Sequence, residues 1–233
     1  MVRNSREAFK VYGNVFDAFT LRVLNQLRDK GVFVDLKSPV FVGKESNVFT
    51  ATSRNGEVIV KIYRLESCDF NRMYDYIKYD ERYKYLRKNH RRIIFAWTKR
   101  EYRNLFIARE AGVRVPTPIS VLHNVLVIES IRDSVLAPML KDQNPADPKQ
   151  FLAKVVIFMR KLFRKKLVHG DLSGFNILNS GENPVFIDFS QATTLENPRA
   201  YEYLKRDIKN VCVFFKKLGV DCDEDKIFGE VTN

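Results

Sequence analysis

Between residues 40 and 130 this chain sets five short apolar runs around one long helical repeat, and beyond residue 148 its long repeats are all helical. Val40-Phe41-Val42, Asn47 to Thr52, Glu57 to Tyr63, Val115 to Val121 and Val125 to Ser130 are too short for helices and rich in β-branched residues, so they read as strands. Asn55-Gly56 predicts a two-residue hairpin turn, and His123-Asn124 joins the last two runs. Before them, Phe16, Phe19, Val23, Leu24 and Leu27 recur at helical spacing, with Gly31 as a left-handed stop. The long repeat spans about 92–111 and closes at Gly112. Residues 66–90 show no clean period and read as a long, partly mobile insertion.

The polar stretch Lys141 to Pro148 breaks this pattern, with Asp147 as cap and Pro148 as first residue of a helix carrying Leu152, Val155, Met159 and Leu162 on one face. Two short strands are expected around a loop at 167–190, and a last clear helix at about 200–217 stops at Gly219. The fold class is therefore α+β. A small, mostly antiparallel sheet lobe with one long helix occupies about residues 1–130, and a helical lobe occupies about 131–233, hinged near 129–140. At 233 residues and 45% hydrophobic content the chain can fill such a core. No run of about 18 apolar residues exists, so no membrane span is expected. Met1 to Ser5 lacks an apolar secretory region, which predicts a cytoplasmic protein. Cys68, Cys212 and Cys222 are odd in number and far apart in sequence, which argues against a disulfide framework, and no histidine stands at metal-ligand spacing from another.

Chemistry concentrates in one loop. His169-Gly170-Asp171-Leu172-Ser173-Gly174-Phe175-Asn176 has the spacing H-x-D-L-x-x-x-N, and Asp188 of Phe186-Ile187-Asp188-Phe189 follows Asn176 by twelve residues. Phosphoryl transfer needs a carboxylate beside the attacking hydroxyl and hard oxygen ligands for the Mg²⁺ of a nucleotide. Asp171 supplies the first, and Asn176 and Asp188 the second; His169 reads as a packed support rather than a proton carrier. The flanking runs Lys166-Leu167-Val168 and Pro184 to Ile187 are expected to fix the two loops relative to one another. Upstream, Lys61 lies inside an apolar strand, where a cation needs a charged partner. On the long helix Ile94, Trp97, Leu105 and Ala108 form an inward stripe; Glu101 falls on it and Glu110 faces out, so Glu101 is the predicted partner of Lys61. Gly43-Lys44-Glu45-Ser46 sits between strands with one glycine rather than G-x-G-x-x-G, and its amides and the Ser46 hydroxyl can hold phosphates.

The formal charge of +12 is uneven: residues 82–103 hold nine Lys/Arg against one acid, Glu101. Tyr74, Tyr76, Tyr79, Tyr83 and Tyr85 lie just before or within that segment, and Arg160 to Lys166 forms a second basic cluster. Cations interleaved with aromatics suit RNA, and equally suit a solvated helical face.

Gly43 to Val48, Trp97-Thr98-Lys99-Arg100-Glu101-Tyr102-Arg103-Asn104-Leu105, His169 to Ser173 and Ile187-Asp188-Phe189-Ser190-Gln191 resemble the RIO-type atypical protein kinases, as does the tail from Glu202 through Phe215. The likeness runs from about Val15 to Val220 and is nearest the branch without an N-terminal winged helix. It implies a single two-lobed, protein-kinase-like domain over residues 1–233 with a reduced helical lobe. That lobe would lack the peptide-docking subdomain, since 45 residues and no Ala-Pro-Glu element follow Asp188. It implies an ATP- and Mg²⁺-dependent serine/threonine kinase or ATPase, with Mn²⁺ as a possible substitute, that matures the small ribosomal subunit; together with the charge pattern this leads to the expectation that segment 82–103 docks on its rRNA. By match Lys61 binds phosphate, Glu129 and Ile131 offer hinge backbone groups to adenine, and Asp171 is the proton acceptor. Asn176 and Asp188 hold metal, and Asp188 also accepts the phosphoryl group as an aspartyl-phosphate. Gly174 stands where the family often has Glu, and Ser46 where this branch commonly has Ala. A small KEOPS-type kinase, another kinase-like phosphotransferase and a nucleotide-gated RNA-binding module share parts of the pattern.

Overall fold

The computed structural model describes residues 16–86 and 88–233; Met1 to Ser5, on which the cytoplasmic expectation rests, and Arg87 of the basic segment lie outside the described residues. The chain divides into two compact units. The first takes the described residues up to Tyr74, with Leu86–Tyr102 and Pro118–Ser130; the second takes Asp75–Tyr85, Arg103–Thr117 and Ile131–Asn233.

The first unit begins with α1 (Ala18–Asp29), capped by Asp17, whose carboxylate accepts the N–H groups of Phe19 and Thr20. Gly31 follows at φ +73°, the left-handed stop expected there. Five strands form one antiparallel sheet: β1 (Asp35–Val42), β2 (Ser46–Ser53), β3 (Gly56–Tyr63), β4 (Pro118–Leu122) and β5 (Val125–Glu129), in the order β1-β2-β3-β5-β4. Val23, Leu24 and Leu27 of α1 share one buried core with Phe49, Val60 and Val127 of the sheet. The β2–β3 turn falls one residue earlier than expected. Ser53 pairs with Gly56, so Arg54 and Asn55 make the turn and Gly56 opens β3. The Ser53 hydroxyl stabilises this register, accepting from the Asn55 N–H and donating to the Gly56 carbonyl.

The 66–90 stretch corrects the sequence reading. It holds α2 (Phe70–Ile77) and a 3₁₀ turn at Glu81–Tyr83. Met73, Tyr76 and Ile77 are buried. Met73 and Ile77 are four apart and share a helix face, but the tyrosines around them blur that period. α3 (His90–Glu110) follows, its residues to Tyr102 counted with the first unit and the rest with the second.

The second unit holds α4 (Pro148–Arg164), β6 (Leu167–Val168), β7 (Ile177–Ser180), β8 (Asn183–Phe186), β9 (Thr193–Thr194), α5 (Ala200–Lys217) and α6 (Glu224–Thr232). Asp147 caps α4 by accepting the Gln150 N–H, and Pro148 stands in its first turn as expected. The two expected short strands do not pair with each other. Leu167–Val168 pairs with Thr193–Thr194, while the 183–186 run forms a hairpin with 177–180. A two-residue strand carries no period to show its partner. The helix at 200–217 is not the last: α6 buries Ile227 and Val231 and is capped by Asp223. Cys212 and Cys222, ten apart in sequence, come within hydrogen-bonding reach of each other as free, buried thiols.

Candidate active site

Each unit carries its own set of candidate residues. In the first, Lys61 sits mid-strand opposite Val48 on one side and Leu126 on the other. Its ammonium meets the Glu101 carboxylate at 2.9 Å, and their side chains are only 9% and 2% exposed. The predicted pair is formed, and the helical period located its acid correctly: Ile94, Trp97, Leu105 and Ala108 are all buried, whereas Glu110 is exposed. The second Glu101 oxygen accepts a hydrogen bond from the Tyr63 hydroxyl, and Lys61 Nζ lies 5.1 Å from the Tyr63 ring centroid. Two donors on one buried carboxylate meet the condition for keeping a charge out of water.

The turn at 43–46 closes through the Gly43 N–H, which donates to the Ser46 carbonyl at 2.9 Å. Ser46 begins β2, half-buried, opposite Tyr63. Below this turn, the Ser67 hydroxyl donates to the Lys44 carbonyl and the Cys68 thiol to the Glu45 carbonyl. Burial pushes the Cys68 thiol up to about 12, so it stays protonated. Glu129 ends β5 opposite Val58.

In the second unit, Asp171, Asn176 and Asp188 are each partly exposed. The Asn176 amide donates to the Asp171 carbonyl at 2.7 Å and to its carboxylate at 3.3 Å. The Gln191 amide donates to the same carboxylate oxygen at 3.1 Å. The Ile187 N–H donates to the Asn176 carbonyl at the open end of the β7–β8 hairpin, which sets Asn176 beside the residue preceding Asp188. The Asn176 amide nitrogen is thus occupied while its oxygen accepts no hydrogen bond from the described residues, and Asp188 adds a carboxylate. These are hard oxygen donors of the kind Mg²⁺ takes. Asp188 has φ +59°, a left-handed conformation that costs a non-glycine residue about 1–3 kcal/mol and recurs at functional sites. Ile131 is buried, and its carbonyl accepts the Ala137 N–H.

His169 is a support, as the sequence reading held. It is buried, its Nε2–H donates to the Ile187 carbonyl at 3.0 Å, and its ring packs on Phe189 with centroids 4.6 Å apart. Gly170 is required: φ is +78° and an added Cβ would lie 2.9 Å from the Gln191 carbonyl oxygen. At Gly174 an added Cβ would lie 3.1 Å from the Phe214 ring, so a larger residue there requires that ring to shift.

Three residues escaped the sequence reading as functional. Asp207, fully buried on α5, accepts the N–H groups of Gly170 at 2.7 Å and Leu172 at 2.9 Å, on either side of Asp171. Burial pushes its carboxyl up to about 7, against the pull of those two N–H groups and of Arg206. Asn104, also buried, donates to the carbonyls of Phe189 and Ala192 and so anchors the segment after Asp188. Gln191, the third, donates its side-chain amide to the Asp171 carboxylate. The signals were present in the Arg-Asn-Leu, Arg-Asp and Ser-Gln dipeptides and tripeptides of the resembling motifs, but nothing local says which atom each side chain reaches.

The basic segment is less available than its count implies. Arg100 is fully buried with its guanidinium over Trp97, and Arg82 bonds both Asp80 and Asn104. Lys84, Lys88, Arg91, Arg92 and Lys99 are exposed, as is Tyr85 beside Lys84. Among the described residues, no helix is long and apolar enough to cross a membrane.

Residues 47–227 match the family described as RIO domain. The chain is 39% identical over 230 residues to the RIO-type serine/threonine-protein kinase Rio1 of Haloferax volcanii, covering 97% of this chain and 79% of that one. It is 37% identical over 232 residues to the protein of the same name from Methanocaldococcus jannaschii, covering 99% and 80%. Among solved structures, the Rio2 kinase-ADP/Mg2+-phosphoaspartate complex from Chaetomium thermophilum shares the fold with a TM-score of 0.67 at 21% identity, over 91% of this chain and 66% of that one. With its α+β, kinase-like fold, the chain belongs to the RIO family of serine/threonine-protein kinases.

Proposed function

We propose that this kinase uses ATP with Mg²⁺, or Mn²⁺ in its place, autophosphorylates through an aspartyl-phosphate, and acts in maturation of the small ribosomal subunit. The whole of residues 1–233 serves as one kinase domain in this reading. The observation that carries it is the oxygen set of the second unit: the Asn176 amide oxygen and the strained Asp188 at one hairpin end, with Asp171 bound to the Asn176 amide nitrogen. Asn176 and Asp188 would hold the metal, which supplies neutralising charge to the phosphates. Lys61, oriented by Glu101, binds phosphate, the turn at Ser46 adds backbone and hydroxyl donors, and backbone groups of Glu129 and Ile131 receive adenine. An Asp188 oxygen bonds to the γ-phosphorus as the bond to the ADP oxygen breaks. Asp171 then takes the proton of the hydroxyl or water that attacks the acyl phosphate, and Asp188 leaves as carboxylate. The Rio2 relative was solved as an ADP/Mg2+-phosphoaspartate complex, which agrees with this chemistry. Contact with rRNA rests on the exposed cations between Lys84 and Lys99.

The test is to incubate the purified protein with γ-labelled ATP and Mg²⁺ and treat the labelled protein with hydroxylamine. Label on the wild type should be released, and Asp188→Asn should take none up by this route. A wild type that carries no hydroxylamine-labile label at any time from the first turnover onward would sink the aspartyl-phosphate, whereas a stable ester that appears only after the labile label is the product of its transfer to a hydroxyl.

A further inference from the structure

The tyrosine-rich stretch Asp75–Tyr85 is counted with the second unit, and Tyr76 is buried there. Its ring stacks on Tyr203 of α5, with centroids 5.1 Å apart and planes 24° apart. The Arg206 guanidinium lies 5.0 Å over the same Tyr203 ring. Its Nη2 donates to the Tyr76 hydroxyl at 3.4 Å and also to the Gly170 carbonyl oxygen. That oxygen belongs to the peptide leading into Asp171. Asp207 accepts the Gly170 and Leu172 N–H groups, and Asn210 donates to the Leu172 carbonyl at 3.2 Å. The backbone on both sides of Asp171 therefore hangs from α5. Tyr76 reaches the arginine of that set from a segment 130 residues away in sequence.

We propose that Tyr76 is a positioning residue for Asp171: by bracing Arg206 and Tyr203 it fixes the Gly170–Asp171 peptide, so the tyrosine-rich segment sets the rate of phosphoryl transfer. The proposal rests on the reading of Asp171 as proton acceptor. An arginine side chain is ordered by stacking of its plane on an aromatic face together with hydrogen bonds from its N–H groups. The Tyr203 ring holds the plane, and the Tyr76 hydroxyl and Gly170 carbonyl take the donors. Displacing a catalytic group by about 1 Å can cost about 10²-fold in rate, so modest slack in Arg206 is amplified at Asp171.

The test is steady-state ATP hydrolysis by the full chain. Tyr76→Ala should lower kcat by about 10- to 100-fold while KM for ATP stays within about twofold, because Lys61 and Glu101 are untouched. Tyr76→Phe keeps the stacked ring and should lose only about two- to fivefold. Arg206→Gln should fall as far as Tyr76→Ala, and the double variant no further than Arg206→Gln alone. Wild-type kcat in either Tyr76→Ala or Arg206→Gln overturns the proposal. So do single losses that multiply in the double variant, or a KM that rises with the kcat loss. Should Tyr76→Ala fail to fold, Arg206→Gln and Tyr76→Phe decide by the same criteria. Asp171→Ala is the control: if it keeps wild-type turnover, the reading of Asp171 falls and the proposal with it. If Asp171→Ala is inactive while Tyr76→Ala is fully active, only the proposal falls.

Discussion

Lys61 and Asp171 are both charged side chains assigned to one reaction, yet the fold treats them oppositely. Lys61 is buried with its charge closed against Glu101, and Tyr63 completes the carboxylate. Asp171 is partly exposed, held by amide donors from Asn176 and Gln191, with its flanking backbone fastened to α5. The first arrangement is a structural element in its own right, because breaking it strands a charge in the core. The second carries little packing energy and owes its geometry to hydrogen bonds. Changes at the two places should therefore fail in different ways.

The sharpest break is Asp171→Ala. Turnover should fall by about 10²–10⁴-fold, the loss expected for a positioned general base, with ATP affinity within about twofold of wild type. Steady-state kinetics with calorimetric titration of a non-hydrolysable analogue measures both, and unchanged turnover would remove Asp171 from the mechanism. Its thermal midpoint should barely move.

Changes at the pair should do the reverse. Glu101→Ala leaves a lysine in the core without its carboxylate, and breaking a buried pair costs about 3–5 kcal/mol. Chemical denaturation should show a loss of that order, along with weaker ATP binding. A double-mutant cycle with Lys61→Met should give a combined cost below the sum; strict additivity in ATP affinity would mean the two act independently.

Outside both sets, reversing Lys88, Arg91 and Arg92 to Glu, together with Arg87, which lies outside the described residues, should flatten the salt dependence of RNA binding. Four lost phosphate contacts reduce the log–log slope by about 3, at ~0.7 per contact on single strands. Turnover of free ATP should stay the same. Reversed protein that still sediments with small subunits at the same salt would move the docking surface elsewhere, with the Arg160–Lys166 cluster as the next candidate.

The smallest effect concerns Asp207. Its carboxyl is pushed up to about 7 in the folded protein from an ordinary 3.8, so the native state keeps a proton that the unfolded state has already lost. Between those values the native state binds more protons, and this group's contribution to stability falls as pH rises toward 7 and is level above it. Urea unfolding of wild type and Asp207→Asn at pH 5 and 7.5 checks the sign: the wild type should lose more across the interval. An equal change in both would place the Asp207 carboxyl near its ordinary value.

Much of this was legible in the sequence, and the reason is the range of the forces involved. Asp147 caps its helix through an N–H group three residues away, and Gly31 and Gly112 end helices by their own φ values. Glu101 was found because a helix face repeats over seven residues, so its neighbours reported its direction. The insertion was not legible, because its apolar stripe is one helix turn long and crowded by tyrosines. The Leu167–Val168 pairing was not either, since two residues have no pattern to read.

What the chain determined by itself was local: strands against helices, caps, stops, the H-G-D-L and I-D-F loops, and the face carrying Glu101. Tertiary structure alone decided that Arg100 is buried in a segment that reads as a cationic surface. It also decided that Cys212 meets Cys222, that Asn104 anchors the segment after Asp188, and that Tyr76, Tyr203 and Arg206 close on the Gly170 carbonyl. Each of these depends on which side chain fills the space beside a residue distant in sequence. A periodic pattern gives the direction of a side chain but not what stands opposite it, and burial or a shared hydrogen bond requires both.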